Sequence, residues 1–517
     1  VSEDLIKDTE LALLSARRLR ERFARDPYRP RYHFQPPGGW LNDPNGALYW
    51  RGRYHLFYQY FPDAAYSVIE HPDGNHEHLR ICWGHASSSD LIHWEHHPIA
   101  LQPSLPGVDD KACFSGHVVD NDGVATMIYC GIPGGSCIAT SSDPRLERWT
   151  KHPRAVIPRP RPGQPDHGRY SGCDPCMWRE GDLWYALCGF RSPRGGDTAS
   201  LFRSRDTLHW EFLHDFYQSS RDWTSAQDDC AVPDFFPLGD THMLLFMSHQ
   251  TGAQYYLGDW RGETFHPDAH GHMNWAGGQL NAPKSMLDGN GRRLMWGWVC
   301  EGRTQEAQRA AGWAGMLSLP RVLSLAADGG LSIEPPVELN ALRHRHRRRT
   351  DILLTADAGH PIPEVRGNCL ELAIDCDPGD AEEVGVRVCC APDGSEHTSI
   401  SYRPAARELV IDTRAASKRR DLQQPWPRPW ANLFRDPVRE LPTTKEVYVQ
   451  RAPLALQPRE PLRLRVFVDR SVVEVFANDR QCMTGRIYPA RRDSLGVALF
   501  SNGGSARCAA LDAWDMD

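Results

Sequence analysis

Over most of the chain, apolar positions fall in short runs between turn residues and show no helical stripe. Five runs stand out: 54–58 (Tyr-His-Leu-Phe-Tyr), 125–129 (Ala-Thr-Met-Ile-Tyr), 183–187 (Leu-Trp-Tyr-Ala-Leu), 242–246 (His-Met-Leu-Leu-Phe) and 293–298 (Arg-Leu-Met-Trp-Gly-Trp). They recur about every 50 to 70 residues, the spacing of a repeat that supplies a few strands at a time. A second echo follows three of them, in Asp90 to Trp94, Asp143 to Trp149 and Asp206 to Trp210, where Asp opens a turn and Trp begins the next strand. One such unit cannot bury both of its faces alone, so the repeat predicts a radial array of small sheets, a five-bladed β-propeller over 31–335. Before it, Leu5, Leu11, Leu13, Leu14, Ala16 and Leu19 have helical spacing, with acidic residues early and arginines late, which predicts an N-terminal helical segment within 1–30. Residues 336–350 read as a linker. From 351 to 517 alternation returns, for example in 370–374, 384–388, 462–469, 472–476 and 495–500, and predicts a β-sandwich. The fold class is therefore all-β, a propeller followed by a sandwich.

Composition narrows the partners. The 517 residues are 40% hydrophobic with 17 Trp, enough for large cores, and the formal net charge of −7 gives no general pull toward nucleic acid or anionic membrane. The one strong basic run, Arg343 to Arg349, reads as a solvated helix face or part of the linker. No stretch reaches the roughly 20 apolar residues of a membrane span. Fifteen cysteines without framework spacing are expected to be free thiols, which leans the location toward the cytoplasm. Oligomeric state is left open.

The candidate chemistry starts at Trp40-Leu41-Asn42-Asp43-Pro44-Asn45-Gly46. Pro44 drives Asp43 toward extended backbone and Gly46 permits a sharp exit, so one carboxylate sits in a constrained turn. Asp43 precedes the first run, Asp174 the third, and Asp228 and Asp229 the fourth. In a propeller such positions face one another across a central funnel. Asn42, Gln59, Trp83 and Ser115 offer neutral donors for hydroxyl groups, while Trp83, Phe114 and Trp298 offer apolar surface for a sugar face.

The ordered motifs Trp40 to Gly46, Phe57-Tyr58-Gln59-Tyr60, Phe114-Ser115-Gly116, Asp174-Pro175 and Pro233-Asp234-Phe235-Phe236 resemble those of glycoside hydrolase family 32, the β-fructofuranosidases. The resemblance runs on through Gly312 to Arg321 and Phe467 to Phe476. It implies retaining hydrolysis of a terminal fructosyl unit from sucrose or short β-fructans, with no metal and no organic cofactor. It also implies Asp43 as nucleophile and Asp174 as transition-state stabiliser. Two alternatives stay open at this point, a fructosyltransferase and a fructoside-binding pseudoenzyme.

Two departures from the family pattern bear on the chemistry. Where the family has Glu-Cys-Pro-Asp at the acid/base position, this chain has Asp228-Asp229-Cys230-Ala231-Val232-Pro233-Asp234, which reads as a local insertion without Glu. Asp228 is the favoured acid/base and Asp229 the second choice. Cys173 stands where the Arg of an Arg-Asp-Pro motif is expected. Phe434-Arg435-Asp436-Pro437 spells that motif far from the blade order and is read as coincidence, and Cys173 to Cys176 lacks a partner pair for redox or zinc chemistry.

Overall fold

A computed structural model of the chain describes residues 17–19, 21–62, 80–164, 166–192, 195–428 and 444–517. Its first five sheets are the blades. Their innermost strands are Gly39–Trp50, Ala112–Asn121, Pro175–Glu180, Ala231–Leu238 and Leu280–Leu287. Each touches the inner strand of the next blade, and the fifth touches the first, so the ring is closed. Closure is reinforced by the segment Trp313–Ala314, which follows the first two strands of blade 5 and pairs in parallel with Gly39 and Trp40 of blade 1.

The five sequence runs are the second strands of the blades: Arg53–Phe61, Val124–Ile132, Leu183–Arg191, Thr241–Ser248 and Arg293–Val299. Blades pack face to face, so both faces of these strands are covered, and that is why they read as nearly continuous apolar runs. The Asp-to-Trp echo is a turn. Asp90 accepts the backbone N–H groups of Ile92 and His93, and Trp94 donates its ring N–H to the carbonyl of Leu91. Asp206 and Trp210 repeat the arrangement in blade 3.

Two six-stranded sheets face each other in the second half of the chain, around a core of Leu, Ile and Val. The basic run is neither helix nor linker. A 3-10 turn at Val337–Leu342 leads directly into the strand Arg343–Leu354, which pairs with Ala506–Met516. Its arginines are neutralised by acidic neighbours, Arg343 by Glu371 and Arg347 by Asp515, and His346 Nε2 lies 2.6 Å from Asp512. The helix expected near the N-terminus lies mostly outside the described residues, as does the 434–437 motif; of the former, 17–19 and 21–23 are helical. Among the described residues, no helix is long and apolar enough to cross a membrane.

Two motifs that carried the resemblance meet at the junction of propeller and sandwich. Arg321 and Glu474 form a fully buried ion pair at 2.9 Å. Glu474 also accepts the backbone N–H of Leu319, and His33 lies between Asp469 and Glu474 at 2.9 and 3.5 Å. Burial alone would discharge His33, but the two carboxylates more than offset it and hold the ring up at about 9. These residues join the domains and lie apart from the funnel.

Candidate active site

The upstream end of each inner strand carries a local irregularity. Pairing skips between Leu41 and Pro44, between Ala231 and Asp234, and between Asn281 and Lys284. Asp174, Val232 and Ala282 each have positive φ, at 49°, 47° and 45°, and each is followed by proline. A non-glycine residue there costs about 1–3 kcal/mol, and such strain gathers at functional sites. The recurrence corrects the expected insertion in blade 4. Ala231 and Val232 fill the same places as Cys173 and Asp174, so no extra residue is present, and Ala231 stands where the family motif has Glu.

Asp43 is buried in a ring of side chains from two blades. Ser115 Oγ donates to Asp43 Oδ2 at 2.6 Å and Asn42 Nδ2 donates to Oδ1 at 3.1 Å. Asn42 also donates to Gln59 Oε1 at 3.1 Å, and Gln59 in turn donates to Ser115 Oγ. Four residues chosen from the sequence thus form one closed hydrogen-bond circuit. It fixes both carboxylate oxygens. Burial pushes Asp43 up to about 6, the Ser115 hydrogen bond pulls against that, and the nearby Asp174 charge adds to the rise.

Asp174 is part-exposed at the start of blade 3. Its carboxyl is also raised by burial, with His249 and Lys284 opposing and Asp229 adding to the rise. Lys284 is buried on blade 5 and donates to the carbonyl of Pro233 at 2.6 Å. Beside Asp174, Cys173 is joined to Cys130 of blade 2 as a disulfide, with 4.9 Å between Cα atoms. This pair departs from the expectation of free thiols throughout; the other thirteen cysteines are free. A link between blades 2 and 3 therefore occupies the place expected for Arg.

The two acid/base candidates separate. Asp228 is turned into blade 4, where it accepts the backbone N–H and hydroxyl of Ser225, both at 2.8 Å, and the hydroxyl of Thr251 at 2.7 Å. Its neighbours His270 and His272 lie on the outer side of that blade, and it is not gathered with Asp43 and Asp174. Asp229 is. It accepts the His249 backbone N–H at 2.9 Å and lies 2.6 Å from His249 Nδ1. Gly189 lets the chain run here, because the Cys230 carbonyl occupies the place a Cβ would take, 1.8 Å away.

Sequence reasoning missed His249. It directly follows the strand Thr241–Ser248, in the turn between the second and third strands of blade 4, and only the pairing of Ala231 with Met247 brings it opposite Asp229. Burial works against the charged ring, but Asp229, then Asp174 and Asp43, outweigh it and raise its pKa. One carboxylate, Asp229, contacts the imidazole, and the charges of Asp174 and Asp43 act on it from other blades.

The apolar candidates divide as well. Phe114 is part-exposed beside Ser115. Trp83 is fully buried and donates its ring N–H to the Phe114 carbonyl at 3.0 Å, so it supports the wall of the site and does not present a donor to a hydroxyl group. Trp298 is buried edge-on against Trp40, with ring centroids 6.2 Å apart. Among the described residues, no group of three or more His, Cys, Asp or Glu could hold a metal ion.

Comparison with known proteins decides the lineage. Residues 33–335 match the profile of the glycosyl hydrolases family 32 N-terminal domain, and 338–515 that of the family 32 C terminal. The chain belongs to glycoside hydrolase family 32. It is a glycosidase by that membership. Among its relatives is a sucrose-6-phosphate hydrolase of Escherichia coli, 32% identical over 92% of this chain and 94% of that one. A raffinose invertase of Escherichia coli is 31% identical over 92% and 93%. The crystal structure of fructan 1-exohydrolase IIa from Cichorium intybus superposes with a TM-score of 0.81 at 25% identity, over 95% of this chain and 98% of that one. That family's five-bladed propeller and β-sandwich are the architecture described above.

Proposed function

We propose that this glycosidase releases terminal fructose from sucrose or short β-fructans with retention of configuration. The observation that carries the reading is the Asn42–Asp43–Gln59–Ser115 circuit, with the charge of Asp174 near enough to act on Asp43. Asp43 Oδ attacks the anomeric carbon, the bond to the leaving oxygen breaks, and a fructosyl ester on Asp43 forms. Water then cleaves that ester. Asp174, part-exposed at the start of blade 3, binds ring hydroxyls and in its ionised form offsets the positive charge that develops in an oxocarbenium-like transition state.

The substrate class draws support from relatives named for sucrose 6-phosphate, raffinose and fructan. A screen of sucrose, inulin and levan with the purified protein tests it, read as fructose released by the wild type beside Asp43→Ala. The reading expects fructose from at least one substrate and a loss of at least about 1,000-fold in the variant, in line with removal of a covalent nucleophile. Equal release by both proteins would overturn it.

A further inference from the structure

A retaining glycosidase needs a group that gives a proton to the leaving oxygen and later takes one from water. Where the family motif Glu-Cys-Pro-Asp has Glu, the matching Ala231-Val232-Pro233-Asp234 has Ala231, whose methyl group can neither give nor take a proton. Asp228 is engaged by Ser225 and Thr251 inside blade 4. The titratable groups gathered with Asp43 and Asp174 from blade 4 are Asp229 and His249.

We propose that His249, oriented by Asp229, is the general acid and base of this enzyme. The proposal rests on the reading of Asp43 as nucleophile. Asp229 grips His249 twice, at its backbone N–H and at Nδ1. With Nδ1–H given to Asp229, the proton that the imidazolium can transfer is the one on Nε2. This is the division of labour in which a carboxylate fixes a ring's tautomer and stabilises its charged form. The surroundings favour that form. Asp229 touches the ring from its own blade, and the negative charges of Asp174 on blade 3 and Asp43 on blade 1 add to its effect. The side chains of His249 and Asp229 are 12% and 10% exposed, so the pair is not sealed off from solvent.

The steps balance. As Asp43 Oδ bonds to the anomeric carbon, the electron pair of the breaking C–O bond goes to the leaving oxygen, which takes the Nε2 proton and leaves a neutral imidazole. In the second half, Nε2 takes a proton from water as its oxygen bonds to the anomeric carbon. The ester bond breaks, Asp43 returns as carboxylate and His249 as imidazolium.

The experiment compares sucrose with β-fructofuranosyl fluoride, whose leaving group needs no proton, in the wild type, His249→Gln, His249→Asn and Asp229→Asn. General acid catalysis is worth about 10²–10⁴-fold. Both His249 variants are expected to lose that much in kcat/KM on sucrose and less than about tenfold on the fluoride, with azide accelerating the fluoride reaction to give fructosyl azide. Asp229→Asn is expected to keep more sucrose activity and to move the alkaline limb of the pH profile to lower pH, because the ring loses its main stabilising charge. Two results overturn the proposal. One is equal loss on both substrates in the His249 variants, a merely structural role. The other is sucrose activity kept within about threefold in His249→Gln while Asp229→Asn abolishes it, which makes the carboxylate the acid. A wild type that cleaves neither substrate is a failure of the fructosidase reading itself, and is seen before any variant is compared.

Discussion

Ser115 of blade 2 donates its hydroxyl to Asp43 of blade 1 at 2.6 Å, so the carboxylate proposed to attack the substrate is steered by a residue from the neighbouring blade. Burial raises Asp43 and that contact pulls the other way, favouring the charged form, with the balance at about 6. Only the ionised carboxylate attacks, so kcat/KM is expected to fall as pH drops below about 6. In Ser115→Ala the limb moves to higher pH. A hydrogen bond to a charged group is worth ~1.5–3 kcal/mol, equivalent to a displacement of about one to two pH units. A pH–rate profile of the variant that overlays the wild type would contradict the assignment.

Asp228, the stronger acid/base candidate in the sequence, is expected to be structural. Asp228→Asn weakens its contacts with Ser225 and Thr251 and should lower stability by about 1–3 kcal/mol. The ratio of sucrose to fructosyl fluoride activity should not change. Chemical denaturation beside the two-substrate assay separates these effects, and a selective loss on sucrose would return Asp228 to the chemistry.

The junction of the two domains makes stability depend on alkaline pH. His33 is held at about 9 against an ordinary 6.5, so its contribution is complete below about 6.5 and is lost as pH rises through about 9. The melting temperature should fall across that window, and it should fall less in His33→Gln. An identical decline in the variant would locate the effect elsewhere.

Glu474→Gln leaves Arg321 fully buried without its counter-charge. Breaking a buried pair from one side costs about 3–5 kcal/mol. The expected outcome is a large drop in denaturation midpoint, with kcat/KM on sucrose nearly unchanged in the protein that remains folded. Intact stability would mean that water or another carboxylate satisfies Arg321.

The blades were legible because their second strands are covered on both faces and so stand out as dense apolar runs. Asn42, Asp43, Gln59 and Ser115 were legible because they lie in the ordered family motifs, with Pro44, Gly46 and Gly116 marking the irregular pairing of the strands that carry Asp43 and Ser115. His249 was not, since a histidine after an apolar strand has no local signature, and its partner Asp229 is reached only through strand register. The choice between Asp228 and Asp229 was equally hidden, because adjacent carboxylates diverge with the backbone direction at the entry to blade 4. The basic run misled for a different reason: seven consecutive polar positions hide a strand whose acidic partners, Glu371, Asp512 and Asp515, are distant in sequence.

Asp43 is proposed to carry the fructosyl group, and trapping that ester decides it. His249→Gln is incubated with β-fructofuranosyl fluoride, quenched in acid and digested, because this variant is expected to form the ester and hydrolyse it slowly. Mass spectrometry should find one added fructosyl residue on the peptide containing Asp43. The label on Asp174 or Asp229, or turnover with no label on any peptide, would rule out Asp43 as the nucleophile.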